Sequence, residues 1–476
     1  MDLRPFFSPR SVAVVGAGER PTSSGGAVLK NLAASRFAGR IVPVNPKGGV
    51  IQGHEAATSL REVAEPAELA VVVVPPPSIP DVVRDAAASG HRHLLILPGG
   101  FAEAGEEGRR RDAELRALAG DNGLTIAGPN CAGIIGPGFA ATFLRDLPRG
   151  GGVAFISESG ALAEEAIAAS HARAIPLGTV VSVGNAMRLG VDDYLAHLGE
   201  DDAITSVLLY VESIDDPARF RAIARRVAAR KPVVALFGGN TAPGSKAAAA
   251  HTGATVNDER AIAAYAEECG LVRVTSLRRL LLSAKGFGRF PQGFGKRVLL
   301  LSNSGGPGVL ATDRCAAEGL DLVALPERLA QVLHQRLPAE ASVANPLDLL
   351  ADAREGRFGE TLTSALVDAD AFDAILMIHV VPFMVDAGPV IARLAELCRG
   401  ARLPILHSMM GTLEHRADWF RTMELAGVPM FEDSEAMAEC AGMLARYPAA
   451  KARARTGGEG PPALREIGRA SCRERV

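Results

Sequence analysis

Ala154-Phe-Ile-Ser-Glu-Ser-Gly-Ala161 reads as a strand, a tight turn and the start of a helix from about Leu162. The apolar run does not alternate with polar residues. That is the mark of a parallel strand covered on both faces. The same alternation of short β-branched runs with Ala-rich helical stretches extends in both directions. Upstream lie Ser11–Val15, Ile41–Val44, Leu69–Val74, His93–Leu97 and Leu124–Ala127. The set around the opening stretch is Val153–Ser157, Gly178–Val183, Ser206–Tyr210, Pro232–Leu236 and Leu271–Val274. Downstream lie Arg297–Ser302, Leu320–Val323, Ala374–Ile378, Leu403–His407 and Met430–Phe431. Three such sets predict three doubly wound α/β domains. Glycine- and proline-rich breaks at Leu147–Gly152 and Gly286–Lys296 mark the seams. They set the expected domains at 1–147, 148–290 and 294–448.

Bulk properties agree with that division. A chain of 476 residues is too long for one core. It is 48% hydrophobic and 22% charged, with a net charge of −3, which gives no reason to expect nucleic acid or an anionic membrane as partner. Met1-Asp-Leu-Arg-Pro-Phe-Phe7 lacks a secretory pattern, and no apolar run is long enough to span a bilayer. Six scattered cysteines without a CxxC pair fit reduced thiols in the cytoplasm. From Tyr447 to Arg465 the composition is that of a charged Ala/Pro/Gly linker, counted as 449–465. Glu466 to Val476 reads as the conceptual translation of a sequencing adapter, so 466–476 is set apart from the fold, with truncation expected near Arg465.

Chemistry gathers at the strand ends. Gly16, Gly18, Ser24 and Gly25 lie in a loop between the first strand and a helix, where bare backbone can approach a diphosphate. Pro21 at the third glycine position and Asn45 in place of the ribose-binding acid argue against a nicotinamide dinucleotide. The expected ligand is a different nucleotide-containing molecule, with Lys47 as a cation for its phosphates. Val74-Pro-Pro-Pro77, Pro98-Gly-Gly-Phe101 and Gly128-Pro-Asn-Cys131 close three later strands, and place Pro75 and Asn130 at the same edge. In the second set, Ser157, Ser159 and Gly160 form an anion cradle at a helix N-terminus. No glycine precedes Ser157 at the spacing of a nucleophile elbow. Glu212 ends a strand where its carboxylate can hold an imidazole. His251, in Ser245-Lys-Ala-Ala-Ala-Ala-His-Thr-Gly-Ala254, has only small neighbours and can be approached from several sides.

Taken together, the chain resembles the NDP-forming acyl-CoA synthetases, the superfamily of succinyl-CoA synthetase and ADP-forming acetyl-CoA synthetase. The likeness runs from Met1 to about Tyr447. It rests on Pro43–Lys47, Gly99–Glu103, Gly128–Cys131, Phe155–Ala161, Tyr210–Glu212, His251–Ala254, Asn303–Thr312 and Asn345–Asp348. The resemblance implies a Rossmann-like CoA-binding domain, a flavodoxin-type domain with a phosphohistidine, and a second flavodoxin-like ligase domain. It implies CoA as ligand and a small carboxylic acid or acyl-CoA as substrate. An ATP-grasp domain or beta subunit would hold ATP, ADP and Mg, in an oligomer. His251 becomes the phosphoryl carrier, Glu212 its orienting carboxylate, and Ser157–Gly160 the phosphate cradle. Three positions depart from the usual pattern: Ala250, the run Ala254–Asp258, and Glu158 where Gln or Arg is common. A CoA-binding regulatory region of a protein acetyltransferase is the alternative. A plain NAD(P) oxidoreductase is disfavoured by Pro21 and Asn45.

Overall fold

The computed structural model describes residues 2–241, 243–244, 259–382, 386–411 and 413–456. The chain divides into two compact units, Met1–Ala284 with Lys451–Val476, and Lys285–Ala450.

The first unit holds two large sheets. In the first sheet the order is β2 (Arg40–Val44), β1 (Ser11–Val15), β5 (Leu69–Val72), β6 (His93–Ile96) and β7 (Thr125–Ala127), all parallel. Successive residues of β1 enter different cores. Val12 and Val14 join one cluster and Ala13 and Val15 another. Leu69 and Val71 divide from Ala70 and Val72 in the same way. Apolar side chains on both faces are why these strands read as unbroken hydrophobic runs. A small hairpin, β3 (Val50–Ile51) with β4 (His54–Glu55), follows β2.

The second sheet runs β14 (Val272–Val274), β13 (Val233–Phe237), β12 (Ser206–Val211), β10 (Val153–Ser157), β11 (Leu177–Ser182), β8 (Gly133–Gly136) and β9 (Phe139–Thr142). Strands β10 to β14 are parallel, and β8 and β9 form an antiparallel hairpin on β11. The sequence reading contains no strand at 133–142, and its first seam falls at 147. The hairpin lies before that seam yet pairs with the second sheet.

The second unit is built on a third sheet, β17 (Ser342–Val343), β18 (Leu347–Asp348), β15 (Arg297–Ser302), β19 (Ala374–Val381), β20 (Ile405–Gly411) and β21 (Met430–Phe431), with β16 (Asp321–Leu322) also on β15. All pairings are parallel except β17 with β18. The three parallel-dominated sheets give the expected α/β class.

The linker expectation needs correction. A helix, Ser434–Thr456, runs through Tyr447 and Pro448 and covers the first residues of the 449–465 stretch. Tyr447, Ala450 and Ala454 are buried, so this segment has a packed face. Its small alanines hide that face from a reading based on large apolar residues. Residues 457–476 lie outside the described residues. No described helix is long and apolar enough to cross a membrane.

Candidate functional site

In open parallel sheets, ligands bind beyond the carboxyl ends of the strands where the strand order reverses. In the first sheet that point lies between β1 and β5. Gly16 follows β1 with φ +89°, and a Cβ there would lie 3.0 Å from Val74 Cγ1. A Cβ on Gly25 would lie 2.1 Å from the Gly16 carbonyl oxygen. The two loops therefore close only with glycine at both positions. Ser23 caps the helix Ser24–Ala34, its hydroxyl accepting from Gly26 N–H at 3.3 Å and donating to the Arg20 carbonyl at 2.7 Å. Ser24 stands exposed in the first turn.

Asn45 has a structural duty. Its amide donates to the Ala17 carbonyl at 2.8 Å and its oxygen accepts from Lys47 N–H at 2.9 Å. Lys47 and Pro75 are exposed at the ends of β2 and β5. Asn130 is exposed beyond β7, three strands from β1. Gln52, which sequence reasoning missed, sits in the turn of the β3–β4 hairpin. Its amide donates to the carbonyls of Gly18 (3.2 Å) and Gly26 (3.1 Å), pinning the hairpin to the glycine loop.

In the second sheet the order reverses between β10 and β12, where Ser157 registers with Tyr210. That places the turn after β10 beside Glu212. The expected helix begins at Gly160 and ends at Arg173. Ser157 is fully buried, and its hydroxyl closes the turn, donating to the Ser159 carbonyl at 2.7 Å and accepting from Ser159 N–H at 3.1 Å. Ser159 is the N-cap, accepting from Leu162 N–H at 3.3 Å. Ser157 thus shapes the turn, while the backbone N–H groups of Gly160 and Ala161, in the first turn of the helix, have no intrahelical acceptor. A Cβ on Gly160 would lie 3.3 Å from Ala132 Cβ.

Glu158 carries the next contact. Its carboxylate accepts from the backbone N–H of Glu212, and from that of Ser213 at 3.1 Å. Burial pushes its carboxyl up to about 7, against the pull of those two bonds, and Glu212 and Asp215 add to the rise. Burial likewise raises the Tyr210 phenol, which bonds to Glu212. A Cβ on Gly238, after β13, would lie 2.8 Å from the Tyr210 hydroxyl and 3.4 Å from Glu212 Cγ, so glycine leaves room for both side chains. His251 lies outside the described residues.

The two strand-end regions meet inside the first unit. Glu103 accepts from Gly100 N–H, from Phe101 N–H at 3.2 Å and from the Asn185 amide. Asn130 donates to the Asn185 side-chain oxygen at 3.1 Å. Ser182, at the end of β11, accepts from Ala132 N–H at 2.9 Å. Glu103 and Asn185 are the residues that sequence reasoning left without a role. Glu103 lies in the quoted Gly99–Glu103 run, and only the fold shows that it reaches the second sheet.

Known proteins carry the same parts. The CoA binding domain matches residues 10–137, the succinyl-CoA ligase-like flavodoxin domain 150–287, and the ligase-CoA domain 298–455. The alpha subunit of ADP-forming acetate–CoA ligase II from Pyrococcus furiosus is 34% identical over 92% of this chain and 96% of its own length. This chain belongs to the NDP-forming acyl-CoA synthetases. It corresponds to their alpha-type region, the part of an ADP-forming acid–CoA ligase that contains the CoA-binding domain. The ADP-forming acetate–CoA ligase I of Archaeoglobus fulgidus is 32% identical over 93% of this chain, which spans 63% of that longer relative. The dinucleotide-forming acetyl-coenzyme A synthetase 1 of Ca. Korarchaeum cryptofilum, solved with phosphate and ADP, superposes with a TM-score of 0.90. It is 27% identical, covering 97% of this chain and 100% of that one.

Proposed function

We propose that the chain performs the CoA and phosphohistidine half of a reversible reaction: carboxylic acid, CoA and ATP give acyl-CoA, ADP and phosphate. One observation carries this reading. The switch point of the second sheet brings the turn that opens the helix Gly160–Arg173 against the Glu212 end of β12, through Glu158, in the unit that also holds the glycine loop of the CoA-binding domain. In the acyl-CoA-consuming direction, a phosphate oxygen attacks the thioester carbonyl and the carbon–sulfur bond breaks, releasing CoA and an acyl phosphate. A nitrogen of His251 then attacks phosphorus. The bond to the acyl oxygen breaks, and the carboxylate leaves.

The residues suit these tasks. N–H groups of Gly160 and Ala161 stabilise charge that builds on phosphoryl oxygens. Glu212 holds the His251 ring and favours its cationic, phosphorylated form. Gly16, Gly25 and the first turn after Ser23 offer bare backbone to the CoA diphosphate, with Gly18, Ser24, Lys47, Pro75 and Asn130 along the same edge. His251 passes its phosphoryl group to ADP on an ATP-grasp domain or beta subunit, which holds the nucleotide and Mg.

The first half needs only this chain. Incubated with labelled phosphate and a panel of acyl-CoA thioesters, it is expected to take up acid-labile, base-stable label, and His251→Ala is expected to take up none. Label that persists in His251→Ala, or its absence with every thioester, overturns the proposal.

A further inference from the structure

The turn at Ser157–Gly160 has an internal counterpart. Val153-Ala-Phe-Ile-Ser-Glu-Ser-Gly160 ends β10, and Val298-Leu-Leu-Leu-Ser-Asn-Ser-Gly305 ends β15 in the second unit. Both turns close alike. The Ser302 hydroxyl donates to the Ser304 carbonyl at 2.8 Å and accepts from Ser304 N–H at 3.0 Å, as Ser157 does with Ser159. In both, the residue between the serines grips the end of the adjacent strand.

Its chemistry differs. Asn303 is buried and uses both halves of its amide, donating to the Val380 carbonyl and accepting from Val380 N–H, each at 2.8 Å. A neutral side chain thus completes the grip in the second unit. Glu158 does the same work with a carboxyl group, on Glu212 and Ser213. Among the described residues, the titratable groups facing it are Glu212, Asp215 and Tyr210, from β12 and the loop after it. Neither the β11 end at Ser182 nor Ala132 brings a charge. Among the described residues no cationic side chain pairs with Glu158.

We propose that Glu158 is a positioning residue whose proton governs how the cradle receives phosphate. Protonated, it can still accept from the N–H groups of Glu212 and Ser213 through one oxygen, and it leaves the turn uncharged. Ionised, it puts a second negative charge beside Glu212, in the turn that must accept an anion. Glu158 is half-buried, and desolvation pushes its carboxyl up to about 7, within the range where both forms occur near neutrality. The inference rests on the phosphate-cradle reading above.

The test compares wild type with Glu158→Gln, which keeps the shape and an acceptor but cannot ionise. Phosphate-dependent labelling is followed from pH 6 to pH 8. The wild-type KM for phosphate is expected to rise about tenfold more than that of the Gln variant, with kcat affected less. Phosphate's own ionisation is common to both proteins and cancels. Superimposable KM profiles overturn the inference. A second readout needs no turnover. A carboxyl whose folded pKa is raised costs stability as pH climbs from its unfolded value to its folded one. The Tm advantage of Glu158→Gln over wild type should therefore grow between pH 5 and pH 8. A constant difference overturns the role. If wild type takes up no label at any pH, the phosphohistidine reading fails, and the melting comparison still decides the clamp.

Discussion

At the scale of single residues, the site depends on what has no room. A Cβ on Gly25 would fall 2.1 Å from the Gly16 carbonyl oxygen, a backbone atom that cannot swing aside. Gly25→Ala is expected to cost about 1–3 kcal/mol in a denaturant melt and to weaken CoA binding by calorimetry. Glu212→Gln should lower the rate of phosphohistidine formation by roughly 10–100-fold while leaving CoA affinity unchanged, because its partner is an imidazole and not the nucleotide. Buried polar groups in the second unit set the acid limit. His379 and His407 lie on β19 and β20 with ring centroids 6.1 Å apart, both fully buried, and among the described residues their four ring nitrogens have no hydrogen-bond partner. Burial pulls them down to about 4 and about 3. Both are then neutral when folded. Their contribution is complete above the unfolded value near 6.5 and is lost as pH falls below it, by about 1.4 kcal/mol per pH unit for each ring. His407→Phe should flatten the acid limb of a melting series between pH 6.5 and pH 4. The sequence made His251 conspicuous through its small neighbours and Glu212 through its place at a strand end. It could not show that Ser157 spends its hydroxyl inside the turn, or that Asn45 ties down a loop, because those bonds depend on where the backbone goes next.

At the scale of elements, the strands were legible to within one or two residues for most of the set. The reason is physical. A strand buried on both faces must be apolar throughout, and its ends are marked by the residues that turn the chain. Ser11–Val15, Val153–Ser157, Arg297–Ser302 and Met430–Phe431 coincide with the strands observed. The hairpin Gly133–Gly136 with Phe139–Thr142 was not legible. Its strands have only four residues each, Gly-Ile-Ile-Gly and Phe-Ala-Ala-Thr, too short and too rich in Gly and Ala to show alternation or more than two β-branched residues in a row. The helix Ser434–Thr456 was read from its composition as a linker from Tyr447 onward, yet it continues through Pro448, although proline usually ends a helix because it lacks an N–H. Here the backbone of Gly293, with φ +62°, lies against the Leu444 carbonyl, the group that Pro448 leaves without its helical donor. A Cβ on Gly293 would sit 2.4 Å from that oxygen.

At the scale of the whole molecule, the three sheets follow from the three sets of strands, but their grouping does not. Two sheets share one compact unit, and a hydrophobic cluster takes Val12 and Leu69 from the first together with Ile156 and Val207 from the second. Periodicity reports which face of an element is apolar, not which element covers it. The final helix makes this concrete. Its residues from Lys451 onward belong to the first unit, where the Arg225 guanidinium donates to the Arg453 and Ala454 carbonyls, Arg453 lies 3.5 Å from Glu267, and Ala454 is buried. None of these polar contacts is strong, because all lie near the surface. The apolar burial of Ala450 and Ala454 is the larger effect, on the order of 1–2 kcal/mol. A chain ended after Tyr447 should therefore melt a few °C below one ended after Thr456 in scanning calorimetry. A free linker from Tyr447 onward requires equal Tm values for the two shortened chains, while a packed helix requires them to differ.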